Sequence, residues 1–178
     1  RLSAASLAKT DPLAIDALSK RGALAIQGGD YAAGEPALLE AEQRLRVAGI
    51  GGMSLVGVLD NLAVVEMDRD HTDASLALER RALAERIRTF GAGAAEAAAG
   101  YNNLGYGFEG AGQFDAAAAA YEHAYQIDLK YRQPDSYDVL TGLSNWGWTL
   151  MRAGHVLSAR KLLAQAQVAL DRVGGKPR

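Results

Sequence analysis

The chain has 178 residues, a formal net charge of −2 and no cysteine. That length suits one domain, and so small a charge gives no general attraction to nucleic acid or to an anionic membrane. Disulfides and thiol chemistry are excluded, and no apolar run approaches the roughly 20 residues that a membrane span needs.

In chain order, Leu2 to Lys9 reads as a short amphipathic segment, the end of a preceding helix. Thr10-Asp11-Pro12 is a helix start, with a capping oxygen and a proline for the first turn. The first helix is expected from there to about Gln27, and its partner from Tyr31 to about Val47 beyond the Gly28-Gly29 turn. Pro36 is tolerable there near the first turn, or kinks the helix. A second pair is expected over about Met53 to Met67 and Asp73 to Phe90. Glu79, Arg80, Arg81, Glu85, Arg86 and Arg88 read as a solvated face laced with weak ion pairs. The third pair covers about Ala94 to Glu109 and Phe114 to Tyr131, and the run Ala116 to Ala120 favours helix and close packing. Gln133-Pro134-Asp135-Ser136 stops that helix and caps the next. The fourth pair takes about Tyr137 to Arg152 and Val156 to Val173, and Gly174 to Arg178 reads as a frayed tail. The repeats therefore run about 12–50, 53–91, 94–133 and 135–173.

One frame relates the four pairs. Tyr101, Leu104, Gly105, Gly112, Phe114, Ala117, Tyr121 and Ala124 set it. A shift of 42 residues carries Asn103, Gly105, Gly112, Ala117 and Ala124 onto Asn145, Gly147, Gly154, Ala159 and Ala166. The backward shift gives Asn61, Ala63, Asp70, Ser75 and Ala82, and a further 41 gives Gly22, Gly29, Asp30, Tyr31 and Ala41. Small residues recur where two backbones must approach, and large ones fill the space between turns. Asp70 stands where the other copies have Gly, and can adopt the same turn conformation at some cost.

At these spacings the chain resembles the tetratricopeptide repeat, in its long form seen in kinesin light chains and bacterial peptide-sensing regulators. The resemblance implies an all-α, right-handed superhelical solenoid of about four antiparallel helix pairs, whose first helices line a groove that holds a peptide. In such an array Leu62, Leu104 and Trp146 face the partner helix, and Asn61, Asn103 and Asn145 fall one residue earlier. Stacked repeats would set these amides about 10 Å apart. An extended peptide, advancing about 3.3 Å per residue, would meet one amide about every third residue. In the long-repeat relatives such a row grips the peptide's main chain. The competing role for these asparagines is a bond to the neighbouring helix, and the first repeat departs from the row with Lys20.

Around the row lie Asn102, Tyr106 and Glu109 in the third repeat and Ser144, Trp148 and Arg152 in the fourth. Asp60, Val64 and Asp68 take those places in the second, with Asp16 and Ala23 in the first. Tyr106 and Trp148 could anchor an apolar side chain or pack in the core. Acids outnumber Lys20 and Arg152 there, which tilts the expected protein or peptide ligand toward neutral or basic. Chaperone-binding repeats hold a terminal carboxylate with Lys, Asn and Arg, where this chain has Ser19, Asp60 and Asn102, so that mode is not expected.

No phosphate loop or nucleophile with its base is present. His71, His123 and His155 read as structural or solvated, without partner carboxylates, so neither catalysis nor a metal or cofactor is expected. The expectation is a non-catalytic, cytoplasmic peptide-binding module of bacterial origin, in a segment of a longer chain whose true amino terminus lies outside it. Two rivals stand beside it. One is self-association through the last helix, with Val156, Leu157, Leu162, Leu163, Ala166, Leu170 and Val173. The other is a regulatory domain of a larger bacterial kinase or transcriptional regulator.

Overall fold

Capping chemistry starts the first two helices of the computed structural model, which describes residues 10–174. Asp11 accepts a hydrogen bond from the Leu13 N–H at 3.1 Å, with Pro12 in the first turn, and opens α1 (Pro12–Gln27). Asp30 does the same for the Ala33 N–H at 3.0 Å and opens α2 (Tyr31–Ala48), which runs through Pro36 without a break. There follow α3 (Met53–Asp68), α4 (Thr72–Phe90), α5 (Ala95–Gly110), α6 (Phe114–Tyr131), α7 (Tyr137–Arg152) and α8 (Val156–Gly174). No strand occurs among the described residues. The segments expected at Leu2 to Lys9 and beyond Gly174 lie outside the described residues. Ser136 holds the capping position of α7, but its hydroxyl makes no cap bond.

The turn within each pair shows the repeat frame directly. Gly29, Asp70, Gly112 and Gly154 have φ of 80°, 61°, 70° and 88°. Left-handed backbone thus recurs at the 41- and 42-residue steps, and Asp70 adopts it despite its side chain.

Contacts divide the chain into two compact units, one ending at Thr89 and the other starting at Phe90. In the first unit α1 packs on α2 and both meet α3. Ile15, Ile26, Leu38, Leu45, Val58 and Leu62 form the centre of this core. The close approach of α1 and α2 depends on Gly22 and Gly34; a Cβ on Gly34 would lie 2.9 Å from the Gly22 carbonyl oxygen. In the α3–α4 pair the buried Ser75 hydroxyl donates to the Ala63 carbonyl at 2.9 Å, so the residue replacing the inner Ala seals the same crossing with a hydrogen bond.

In the second unit α5 packs on α6, α6 on α7, and α7 on α8. Ala117, Tyr121, Ala124, Val139, Leu143 and Ala159 are buried there. At the α5–α6 crossing a Cβ on Gly105 would sit 2.8 Å from the Tyr121 ring, which cannot swing away because it is 3% exposed. Gly105→Leu is therefore expected to lower stability by roughly 1 to 3 kcal/mol, read as a lower thermal midpoint by circular dichroism. An unchanged melt would contradict the packing register.

The charged helix α4 departs from expectation. Arg80, Arg81 and Arg88 are exposed, but Glu79 and Arg86 are buried at 7% and 5% exposure. Arg86 Nη2 pairs with Asp60 Oδ2 at 2.5 Å, on the first helix of the same pair. Glu79 Oε2 has no hydrogen-bond partner among the described residues, and burial, followed by the nearby Asp60 charge, pushes its pKa up to about 7. Sequence spacing favoured a solvated stripe because i, i+3, i+4 charge is the same on an exposed face and on a buried one; only the partner helix distinguishes them.

Candidate functional site

Within each unit, the leading first helix, the end of its second helix and the start of the following first helix enclose a notch. In the first unit the notch measures about 70 Å³ and is lined by Pro12, Ile15, Asp16, Ser19, Leu45, Ile50 and Ser54. Moved along the repeat frame, nearly the same positions become Ala95, Ala99, Asn102, Asp128, Arg132 and Asp138. In the second unit they line a notch of about 240 Å³, together with Thr141, Gly142 and Asn145.

Residue size and charge account for the difference. Leu45 gives way to Asp128, and a Cβ on Gly142 would meet nothing within 4 Å, so the floor beside α7 is open. Arg132 holds the far wall: its Nε lies 3.1 Å from Asp128 Oδ1, and its Nη1 pairs with Asp138 on α7. Two carboxylates and one guanidinium thus form a fixed polar wall facing Asn102 and Asn145.

The sequence-predicted residues fall into two groups. Asn102, Asn103 and Asn145 make no hydrogen bond to another described residue, so their amides are uncommitted; Asn102 and Asn103 are half-buried and Asn145 is exposed. Tyr106 and Trp148, one helical turn beyond Asn102 and Asn145, are 64% and 61% exposed, which settles the core alternative against them. The structure brings Asn102 and Asn145 to one notch, and Asn103 is not among its lining residues.

The other group is already engaged. Asn61 Nδ2 donates to the Gly57 carbonyl of its own helix at 2.7 Å, a different partner from the neighbouring helix weighed from sequence. Lys20 pairs with Asp16 at 2.8 Å, and Asp60 with Arg86. Glu109 collects the Thr149 hydroxyl at 2.7 Å, the Tyr121 hydroxyl at 3.3 Å and Arg152 at 3.5 Å. The Arg152 guanidinium also lies 4.2 Å over the Phe114 ring. Asp68 occupies the matching place in the first unit, beside the first residue of α2, where its charge raises the Tyr31 pKa. The last residue of one first helix therefore meets the first residue of the preceding second helix in both units, as a structural joint.

These pairings cancel most of the acidic excess seen in sequence. Two histidines also find the carboxylates that spacing did not reveal: His71 Nδ1 is 2.8 Å from Glu66, and His155 Nε2 is 2.7 Å from Asp115. His123 stacks on Tyr101 at 5.1 Å. No cluster of three metal-binding side chains occurs among the described residues. Leu62 and Leu104 are buried as expected, whereas Trp146 is half-buried and its ring lies 5.8 Å from Tyr125 on α6. No described helix is long and apolar enough to cross a membrane.

Antiparallel helix pairs crossing at small residues and repeating every 41 or 42 residues define an all-α repeat protein. Residues 55–93 match the family described as Tetratricopeptide repeat. No curated protein sequence matches the chain. Among solved structures it is similar to a kinesin light chain-like protein of Podosopora anserina with nearly identical TPR-like repeats. A point variant of that protein matches with a TM-score of 0.80 and 14% identity over 94% of this chain and 79% of that one. The unsubstituted protein gives 0.79 and 14%, over 94% and 80%. It is also similar to BtubC (BKLC) of P. vanneervenii, with a TM-score of 0.64 and 18% identity over 97% of this chain and 88% of that one. The chain thus carries a tetratricopeptide repeat and has the fold of kinesin light chain-like repeat proteins.

Proposed function

We propose that this chain is a non-catalytic binding module that holds an extended peptide along its first helices, with the α5–α6–α7 notch as its principal contact. The carrying observation is that Asn102 and Asn145, both uncommitted, converge on an open polar notch. Each amide offers a donor and an acceptor, the pair of functions a peptide group needs, whatever its side chain. Tyr106 and Trp148 add exposed flat surface one turn away, suited to an apolar side chain of the ligand. With Asp16, Asp60 and Glu109 paired internally, the charge argument now favours a neutral peptide over a basic one. Asn103 extends the same reading within the second unit, and Asn61 offers the same amide in the first by exchanging its bond to Gly57 for one to a ligand.

The test is selection from a displayed library of unstructured peptides on the intact chain. Enriched peptides are then titrated against wild type and the Asn102→Ala/Asn145→Ala variant. Binding is expected to fall by about tenfold or more with the helical melt unchanged. Equal affinity would remove the reading.

Self-association is favoured by one separate observation: on α8, Leu157, Val168 and Leu170 are 84%, 51% and 47% exposed. That second reading predicts a concentration-dependent mass by light scattering, abolished by Leu157→Lys; a strict monomer at high concentration would exclude it.

A further inference from the structure

On the side formed by α6 and α8, over α7, lies a cavity of about 490 Å³, larger than either notch. Its floor is apolar: Trp146 and Leu150 of α7, with Leu162 of α8 and Ala118 and Ala119 of α6. Glu122 on α6 and Lys161 on α8 stand on opposite walls, and neither has a partner among the described residues. The His155–Asp115 pair closes one end.

The repeat frame says what is unusual here. The matching positions in the first unit carry other residues. Glu35 and Pro36 stand where the second unit has Ala118 and Ala119, and Glu35 is bound at both oxygens by Arg69, at 2.8 and 2.6 Å. Leu78, the counterpart of Leu162, packs against the core of that unit. Ala77 stands where the second unit has Lys161, and Leu39 where it has Glu122. Two alanines in place of Glu35 and Pro36 remove side-chain bulk from the α6 wall, and the second unit has there one acid and one base without a partner among the described residues.

We infer that this cavity is a second binding site, for a small zwitterion with an apolar body: a hydrophobic amino acid or a short peptide with free termini. The volume lies within the range of about 300 to 1,000 Å³ usual for small-molecule sites, and the lining joins its apolar floor to polar groups, Ser158 and Gln165 of α8 beside Glu122, Lys161 and the His155–Asp115 pair. An ammonium answers Glu122, a carboxylate answers Lys161, and the body covers Leu150, Leu162 and the Trp146 ring. A singly charged amphiphile would leave one of the two walls unanswered. The site is separate from the α5–α6–α7 notch and does not rest on the peptide-binding reading.

The probe is the dipeptide leucyl-leucine, titrated into the intact, nitrogen-labelled chain while the indole N–H resonance of Trp146 is followed. The expected result is a saturable shift. It weakens severalfold when the dipeptide is N-acetylated or the protein carries Glu122→Gln, and equally when the dipeptide is C-amidated or the protein carries Lys161→Met. Ala119→Leu, at an exposed position of the cavity lining, is expected to abolish the shift while leaving circular dichroism unchanged. No saturable shift overturns the inference. Equal binding of both blocked dipeptides overturns the zwitterion, and a shift that survives Ala119→Leu overturns the location.

Discussion

Arg86→Ala is expected to cost about 3 kcal/mol or more, among the largest effects of any single side-chain truncation in the first unit. The guanidinium is almost fully buried and makes two hydrogen bonds to the half-buried Asp60, whose carboxylate would be left without its cation beside Glu79. The loss therefore reflects an unpaired charge rather than a missing attraction. The repeat frame supplies the control, because the first repeat holds Ser19 and Leu45 at the positions of Asp60 and Arg86. The double variant Asp60→Ser/Arg86→Leu is expected to recover most of the loss, since it removes both charges together. Denaturant melts of the three proteins measure this. A double variant no more stable than Arg86→Ala would show that the pair does more than neutralise itself.

The second large effect is a pH dependence from Glu79. Its carboxyl, pushed up to about 7 from 4.5 by burial and by Asp60, binds a proton more tightly in the folded chain than in the unfolded one. Stability from this group is therefore complete below about pH 4.5 and is lost as pH rises through about 7, by at most about 3 kcal/mol. Leu38 and Leu163 hold the equivalent positions of the first and fourth repeats. Glu79→Leu should then raise stability at pH 8 and flatten the slope between pH 5 and 7.5. A slope unaltered by the substitution would assign the dependence to other groups.

Comparing sequence with structure, the architecture was legible because it rests on steric requirements that repeat. Gly22, Gly105 and Gly147 lie where a Cβ would strike the facing helix, and Gly29, Asp70, Gly112 and Gly154 occupy left-handed turns. Both requirements act on residue type at fixed spacing, so a single sequence displays them. The site was less legible. Asn103 fitted the repeating frame, yet the notch is lined by Asn102 and Asn145, because its opening depends on where α6 ends and on Arg132 bridging Asp128 to Asp138. Those pairings join helices distant in sequence and leave no periodic trace. The same holds for Glu109, which reads as a groove charge but is bound by Thr149 and Arg152 of the next first helix. The alanine run 116–120 lies within α6, as its helix propensity dictates. Its consequence, the cavity over Trp146, emerges only beside Glu35 and Pro36 at the matching positions of the first unit.

Main-chain recognition by the paired amides of α5 and α7 is tested most directly by methylating, one at a time, the backbone nitrogens of a selected peptide and measuring each affinity. Loss of about tenfold or more is predicted at the few nitrogens that face Asn102 and Asn145, and that loss should vanish in the Asn102→Ala/Asn145→Ala protein. Uniform tolerance of methylation, with affinity governed by side chains alone, would contradict it.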